Sequence, residues 1–212
     1  RIKIYQQKNK VLAALHTVDY KKIGLETYGK PGNYVARQLS RWTKQYLASE
    51  TETIPEMDNL IEWLANNIPD DDETSIVHGD YRLDNMIYKN HEVIGVLDWE
   101  LSTLGHPIAD FSYHCLTWRT LPAMSDLKLI KELGIPSEVE YRDMYSEYTG
   151  KDLSKNWEFY MVFNMFKIAA ICQGILGRVR DGTASSKHAE ERGMQVFPIS
   201  KGAWSIVETN FK

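Results

Sequence analysis

Apolar positions along the chain change their period twice. In residues 2–20, Val11, Leu12, Leu15 and Val18 recur at helical spacing. A KPGN run at 30–33 breaks that pattern, and Asn33 is suited to cap a second helix through Trp42 and Tyr46 to about Leu47. Pro55 opens a third helix, with Leu60, Ile61 and Leu64 on one face. Pro69 and the acidic run 70–73 are expected to end it in a solvated turn. The apolar runs then shorten. Residues 75–78, 86–88 and the β-branched stretch 93–97 read as strands, with KNHE at 89–92 as a hairpin turn. Helical spacing returns at Pro107, in a segment that carries Phe111 and Cys115. Ser125 is placed to cap a helix over 127–133, Gly134-Ile135-Pro136 breaks it, and Ser137 with Glu140 has the S-x-x-E form of a capping box. A long helix follows over about 156–179, then a last helical region interrupted at Pro198.

This layout predicts an α+β fold, mostly helical, with a small β island that carries a polar cluster. The most apolar segment, 159–177, is broken by Asn164, Lys167 and Gln173, which predicts a buried core helix and no membrane span. At 43% hydrophobic and 25% charged residues, the 212-residue chain has the composition of a globular protein with a sizeable core. Its 25 basic and 29 acidic residues leave a net charge of -4, which argues against a general nucleic-acid binder. Cys115 and Cys172 lie far apart in apolar helical patterns and read as buried free thiols, in keeping with a cytoplasmic location. Cys and His residues are not paired at the spacing of a structural zinc site.

The polar cluster is HGDYRLDN, residues 78–85. Alone it reads either as an Asx-rich turn or as a site that binds metal and takes a proton. A second cluster shifts the balance. Asp98 directly follows the strand VIGVL, in DWELSTLGHPIAD ending at Asp110, and a carboxylate at a strand end beside a polar loop is rigidly aimed. The spacing matches kinase-type phosphoryl transfer, in which a catalytic Asp is followed after four residues by an Asn that holds Mg²⁺, and a further Asp comes after the next hairpin. Asp80 and Asn85 supply the pair, and Asp98 the third group. Mg²⁺ prefers a few hard oxygen ligands and leaves its other positions to water and phosphate, so one carboxylate and one amide suffice.

The compound motif, H-G-D-x-x-x-x-N followed by hydrophobic-D-W-E and G-x-P-x-x-D, resembles the aminoglycoside phosphotransferase and choline kinase superfamily, with its protein-kinase-like fold. The wording VLDWELSTLGHPIADFSY is similar to bacterial phosphotransferase-family proteins and to the kinase-like module of acyl-CoA dehydrogenase family members ten and eleven. The resemblance implies that Asp80 deprotonates the acceptor hydroxyl, that Asn85 and Asp98 bind Mg²⁺ with ATP as co-substrate, and that His78 and Asp110 support the loop. Arg82 would face the transferred phosphoryl group or else be exposed and ion-paired; Trp99 would pack, and Glu100 would contact the surroundings of the metal or the substrate. The implied function is an ATP- and Mg²⁺-dependent kinase acting on a small-molecule hydroxyl, with a hydroxyacyl-CoA or hydroxy acid as acceptor.

The superfamily's N-terminal lobe carries a phosphate-binding strand Lys and a loop over the phosphates. Nothing before Asp80 has that form, and Gly24, Gly29 and Gly32 are not flanked by strands. The expectation is therefore that residues 1–212 are a C-terminal lobe that turns over little by itself. A non-catalytic, kinase-like binding or regulatory module is the competing reading. A two-metal phosphoesterase ranks below both, because such sites want several more His and Asp ligands. Arg178, Arg180 and Lys187, after the long helix, are either phosphate or carboxylate contacts or ordinary complements to a helix C-terminus.

Overall fold

The computed structural model describes residues 1–211. In chain order it contains α1 (Ile2–His16), α2 (Tyr34–Ser49), α3 (Pro55–Asn66), β1 (Ser75–Val77), β2 (Met86–Lys89), β3 (Glu92–Val96) and β4 (Thr103–Gly105). There follow α4 (Pro107–Cys115), α5 (Thr117–Thr120), α6 (Pro122–Ser125), α7 (Leu127–Glu132), α8 (Glu138–Thr149), α9 (Trp157–Arg180), α10 (Ala189–Gly193) and α11 (Val196–Asn210). These fall into two compact units, Arg1–Tyr34 with Asp71–Trp157, and Val35–Asp70 with the residues from Glu158 on. The fold is mostly helical, as its periodicity predicts.

The first unit holds the β island as two antiparallel pairs. β1 pairs with β4, Ile76 opposite Leu104, and β2 pairs with β3. The KNHE hairpin forms as expected. Asn90 and His91 both take positive φ (52° and 69°) between Lys89 and Glu92, the geometry of a two-residue turn matched to strand twist. β4 has no counterpart in the sequence reading: Thr103, Leu104 and Gly105 are too short a run to show alternation, and pairing with β1 makes them a strand. Around this island, α1 buries Lys8, Asn9, Leu12, Ala13 and His16; of the expected set Val11, Leu12, Leu15 and Val18, Leu12 is buried, Val11 and Leu15 are half-buried, and Val18 lies past the helix end. Asn9 Nδ2 donates to the Tyr141 carbonyl at 2.7 Å, while its buried Oδ1 has no hydrogen-bond partner among the described residues. Phe111 of α4 stacks on Tyr145 of α8 with ring centroids 3.9 Å apart, which makes an aromatic core between them.

Two caps differ in their outcome. Asp126, not Ser125, caps α7, its carboxylate accepting from the N–H groups of Lys128 and Leu129, while Ser125 closes α6. The carboxylate is the stronger acceptor for exposed N–H groups at a positive helix end. The capping box on α8 is present in full. Ser137 Oγ accepts from Glu140 N–H, and Glu140 Oε2 accepts from Ser137 N–H at 2.7 Å. Replacing Ser137 with Ala is expected to cost about 1 kcal/mol, read as a lowered urea midpoint at unchanged m-value.

In the second unit, α3 ends at Asn66, before Pro69. α9 is buried on nearly all sides: 78% of its most apolar window lies inside the protein, as expected of a core helix. Its interior Gln173 donates through Nε2 to Ser49 O (2.8 Å) and Thr51 Oγ1 (3.0 Å), which satisfies the amide nitrogen inside an apolar helix. Trp63 of α3 packs against Phe159 and Phe211. Pro198 does not interrupt the last helix. It sits in the first turn of α11, where a missing N–H leaves no intrahelical bond unmade, and the break falls instead between α10 and α11. Cys115 and Cys172 are free and buried, and burial pushes both thiols up in pKa. Arg180 pairs with Asp181 and donates to Glu50 O at 2.9 Å, and both Arg178 and Arg180 lie in the last turn of α9.

Candidate active site

The site is built within the first unit, on the loop that leaves β1. His78 and Gly79 carry the chain out of the buried strand, and Gly79 holds φ at +85° with its Cα turned against Leu101. A Cβ there would lie 2.7 Å from the Leu101 carbonyl oxygen, so the position admits only glycine without movement. The loop is fixed from below by Asp110, in the first turn of α4. Its Oδ2 accepts from His78 N–H (2.8 Å) and its Oδ1 from Gly79 N–H (2.9 Å), while His16 Nε2 meets Oδ2 at 3.2 Å. Burial pushes the Asp110 carboxyl up, but the His16 side chain and the two N–H groups outweigh it and hold the pKa below the usual carboxylate range. His16 Nδ1 in turn meets the Tyr145 hydroxyl at 2.6 Å.

His78 itself joins the loop to the hairpin. Its Nδ1 accepts from Asp80 N–H (3.2 Å), which leaves the ring proton on Nε2 to donate to Leu97 O (2.9 Å). The indole of Trp99 packs on this imidazole, centroids 4.9 Å apart, as expected of a packing residue. Leu97 is tied a second time, its N–H donating to Asn85 O at 2.8 Å. The residue before Asp98 is thus fastened to both ends of the HGDYRLDN segment.

Asn85 closes a short 3₁₀ turn, Leu83–Asn85, and is buried. Its Nδ2 donates to Asp80 O (2.9 Å) and to Asp80 Oδ2 (3.1 Å), so the amide nitrogen is spent on the loop and Oδ1 remains for another partner. Asp98 is exposed and left-handed, at φ 62° and ψ 59°, and its side chain makes no capping bond to the 3₁₀ turn Trp99–Leu101 that it precedes. A non-glycine residue in this region costs about 1–2 kcal/mol, and such strain clusters at active sites and ligand clamps. One amide oxygen and one unengaged carboxylate fit a hard divalent cation that takes its remaining ligands from phosphate and water. Among the described residues no group of three or more His, Cys, Asp or Glu side chains is arranged to hold a metal without such help.

The remaining side chains fall into place around Asp80. Arg82 Nε lies 3.8 Å from Asp80 Oδ2 and its Nη2 lies 3.4 Å from Asp84 Oδ2, so Arg82 is exposed and ion-paired, and Asp84 serves the loop. Glu100 is exposed beside Asp98. Sequence reasoning passed over three contributors: His16, Tyr113 and His114. His114 Nδ1 lies 2.9 Å from the Tyr81 carbonyl oxygen, and the Tyr113 hydroxyl donates to Asp80 Oδ1 at 3.4 Å. Burial, followed by the Asp80 charge, pushes the Tyr113 phenol up to about 12, so it stays protonated. The signal for Tyr113 and His114 is their spacing, three and four residues beyond Asp110 on one helical face.

A mostly helical chain with two small β pairs, whose HGD loop is stitched to the end of a hairpin, has the kinase-like fold of the aminoglycoside phosphotransferases. The chain belongs to the phosphotransferase enzyme family, whose model matches residues 3–145. Mouse acyl-CoA dehydrogenase family member 10 is 43% identical over 210 residues, which cover 96% of this chain and 20% of that protein. The chain spans 20–28% of the length of the family members 10 and 11 from mouse, rat and human that it matches. A solved Ralstonia eutropha protein assigned to the aminoglycoside phosphotransferases is 51% identical, with a TM-score of 0.94 over 98% of this chain and 65% of its own. The spectinomycin phosphotransferase solved with ADP and spectinomycin shares the fold at 16% identity, TM-score 0.55, covering 99% of this chain and 65% of its own.

Proposed function

We propose that this chain is the lobe of an ATP- and Mg²⁺-dependent kinase that carries the catalytic loop, and that it phosphorylates a hydroxyl on a small molecule. The observation that carries the reading is the double tie of Leu97, to His78 and to Asn85, which fastens the neighbour of Asp98 to the loop bearing Asp80. In this reading Asp80 accepts the acceptor's proton as the O–H bond breaks; the freed oxygen bonds to the γ-phosphorus, the bond to the β–γ bridging oxygen breaks, and ADP leaves. Asn85 Oδ1 and the Asp98 carboxylate would be the protein's ligands to Mg²⁺, which supplies charge neutralisation at the phosphates when bound. His78 and Asp110 touch no reactant and hold the loop, while Arg82 and Glu100 border the phosphoryl and metal region. The strand Lys and phosphate loop of such kinases would come from residues outside this lobe.

ATP as donor is supported by family membership and by ADP in the spectinomycin phosphotransferase complex. The acyl-CoA dehydrogenase relatives favour a hydroxyacyl-CoA or related hydroxy acid as acceptor. The test is ADP formation by the intact native protein with Mg-ATP and a panel of hydroxyacyl-CoAs, hydroxy acids, choline and aminoglycosides. Phosphorylation of a hydroxyacyl-CoA or hydroxy acid is expected. Failure to bind Mg-ATP in a calorimetric titration would instead make the chain a binding module. Replacing Asp98 with Ala is expected to raise the Mg²⁺ concentration for half-maximal rate by at least about tenfold, since even residues that only orient metal ligands matter by that much.

A further inference from the structure

Resting on that reading, we propose that the Tyr113 hydroxyl is the second half of the acceptor subsite: it donates to the acceptor oxygen while Asp80 Oδ1 takes the proton. The two oxygens of Asp80 are not equivalent. Oδ2 receives the Asn85 amide at 3.1 Å and faces the Arg82 guanidinium at 3.8 Å, whereas Oδ1 faces the Tyr113 hydroxyl. Oδ1 is therefore the oxygen left for an incoming alcohol. The Tyr113 contact is long, at 3.4 Å, which is slack for a bond from a hydroxyl to a carboxylate, so an acceptor oxygen placed closer to the phenol would make the better bond.

The face of α4 sharpens the point. Asp110 binds the backbone of residues 78 and 79, and His114 the backbone of residue 81, so both have a structural task. Tyr113 lies between them, half-buried, and its hydroxyl meets the carboxylate of the residue in between. An acceptor hydroxyl that donates to Oδ1 enters the reach of this phenol. A bond from Tyr113 to one lone pair of the acceptor oxygen would leave another free to attack phosphorus, and that bond strengthens as the oxygen gains negative charge.

The experiment compares Tyr113→Phe, Asp80→Asn and the double variant in the intact native protein, with ADP formation from Mg-ATP measured in water alone and with the acceptor panel. Tyr113→Phe is expected to lower kcat by about 10–100-fold, the worth of one hydrogen bond to a charged group. KM for ATP and the urea midpoint are expected to match wild type, with little further loss in the Asp80→Asn background. Wild-type rates in Tyr113→Phe, a loss accompanied by a lowered midpoint or raised KM for ATP, or equal losses in both backgrounds would overturn the proposal while the fall in Asp80→Asn leaves the kinase reading standing. An Asp80→Asn variant as fast as wild type, or a native protein that forms no ADP under any of these conditions, overturns both.

Discussion

Replacing Asp80 with Asn is expected to lower phosphoryl transfer by about 10²–10⁴-fold, the usual range for loss of a general base, with the fold intact. The substitution keeps the size and shape of the side chain. The amide oxygen it introduces can still accept from Asn85 Nδ2, in place of Oδ2, and the bond from Asn85 to the backbone carbonyl of residue 80 does not involve the replaced side chain at all. What changes is the other end of the group. The atom facing Tyr113 becomes an NH₂, a donor where the mechanism needs an acceptor, and no proton can be taken there. The same change removes one negative partner of Arg82, but Arg82 retains Asp84, and its exposure makes that loss small for stability. ADP formation and a urea melt on the same preparation separate the two effects. A rate that stays within twofold of wild type would remove Asp80 from the mechanism.

The parts of this site that are legible in the sequence are those whose spacing is local. Asp80 and Asn85 are separated by one loop, and Asp98 ends the next hairpin, so their order and distance along the chain carry the chemistry. The clamp beneath them is legible only as a motif position. Asp110 stands out in G-x-P-x-x-D, but its partner His16 lies 94 residues earlier, on a helix whose apolar spacing does not single it out. A buried polar pair of this kind leaves no periodic trace, because each residue alone looks like an exception to its own helix. β4 is hidden for a similar reason: three residues do not show alternation, and only pairing with β1 makes them a strand. Pro198 misleads in the opposite direction, since a proline reads as a breaker unless the helix start is known to lie just before it. Tyr113 belongs to a helix that is correctly foreseen, yet the reach of its hydroxyl to Asp80 depends on how α4 crosses the loop.

Replacing Asp110 with Ala is expected to destabilise the protein by about 3–5 kcal/mol, the cost of breaking a buried hydrogen-bonded charge site, which is a large share of the roughly 5–15 kcal/mol that folded domains hold. Three donors lose their acceptor at once, the N–H groups of His78 and Gly79 and the Nε2 side of His16. The Asp110→Asn variant fares little better, because a single carbonyl oxygen can serve one of the two N–H groups while the NH₂ confronts the other. The pH dependence follows from the direction of the Asp110 shift. Its folded-state pKa is held below the ordinary value, so as pH falls the unfolded chain takes up the proton first. The stabilisation is therefore complete above the unfolded-state value of about 3.9 and is lost as pH drops from there through the folded pKa. Wild type should show a urea midpoint that falls steeply below about pH 4, and Asp110→Asn, already low at neutral pH, should show a shallower fall over the same window. Parallel slopes in the two proteins would mean that Asp110 is not the group whose ionisation secures the loop.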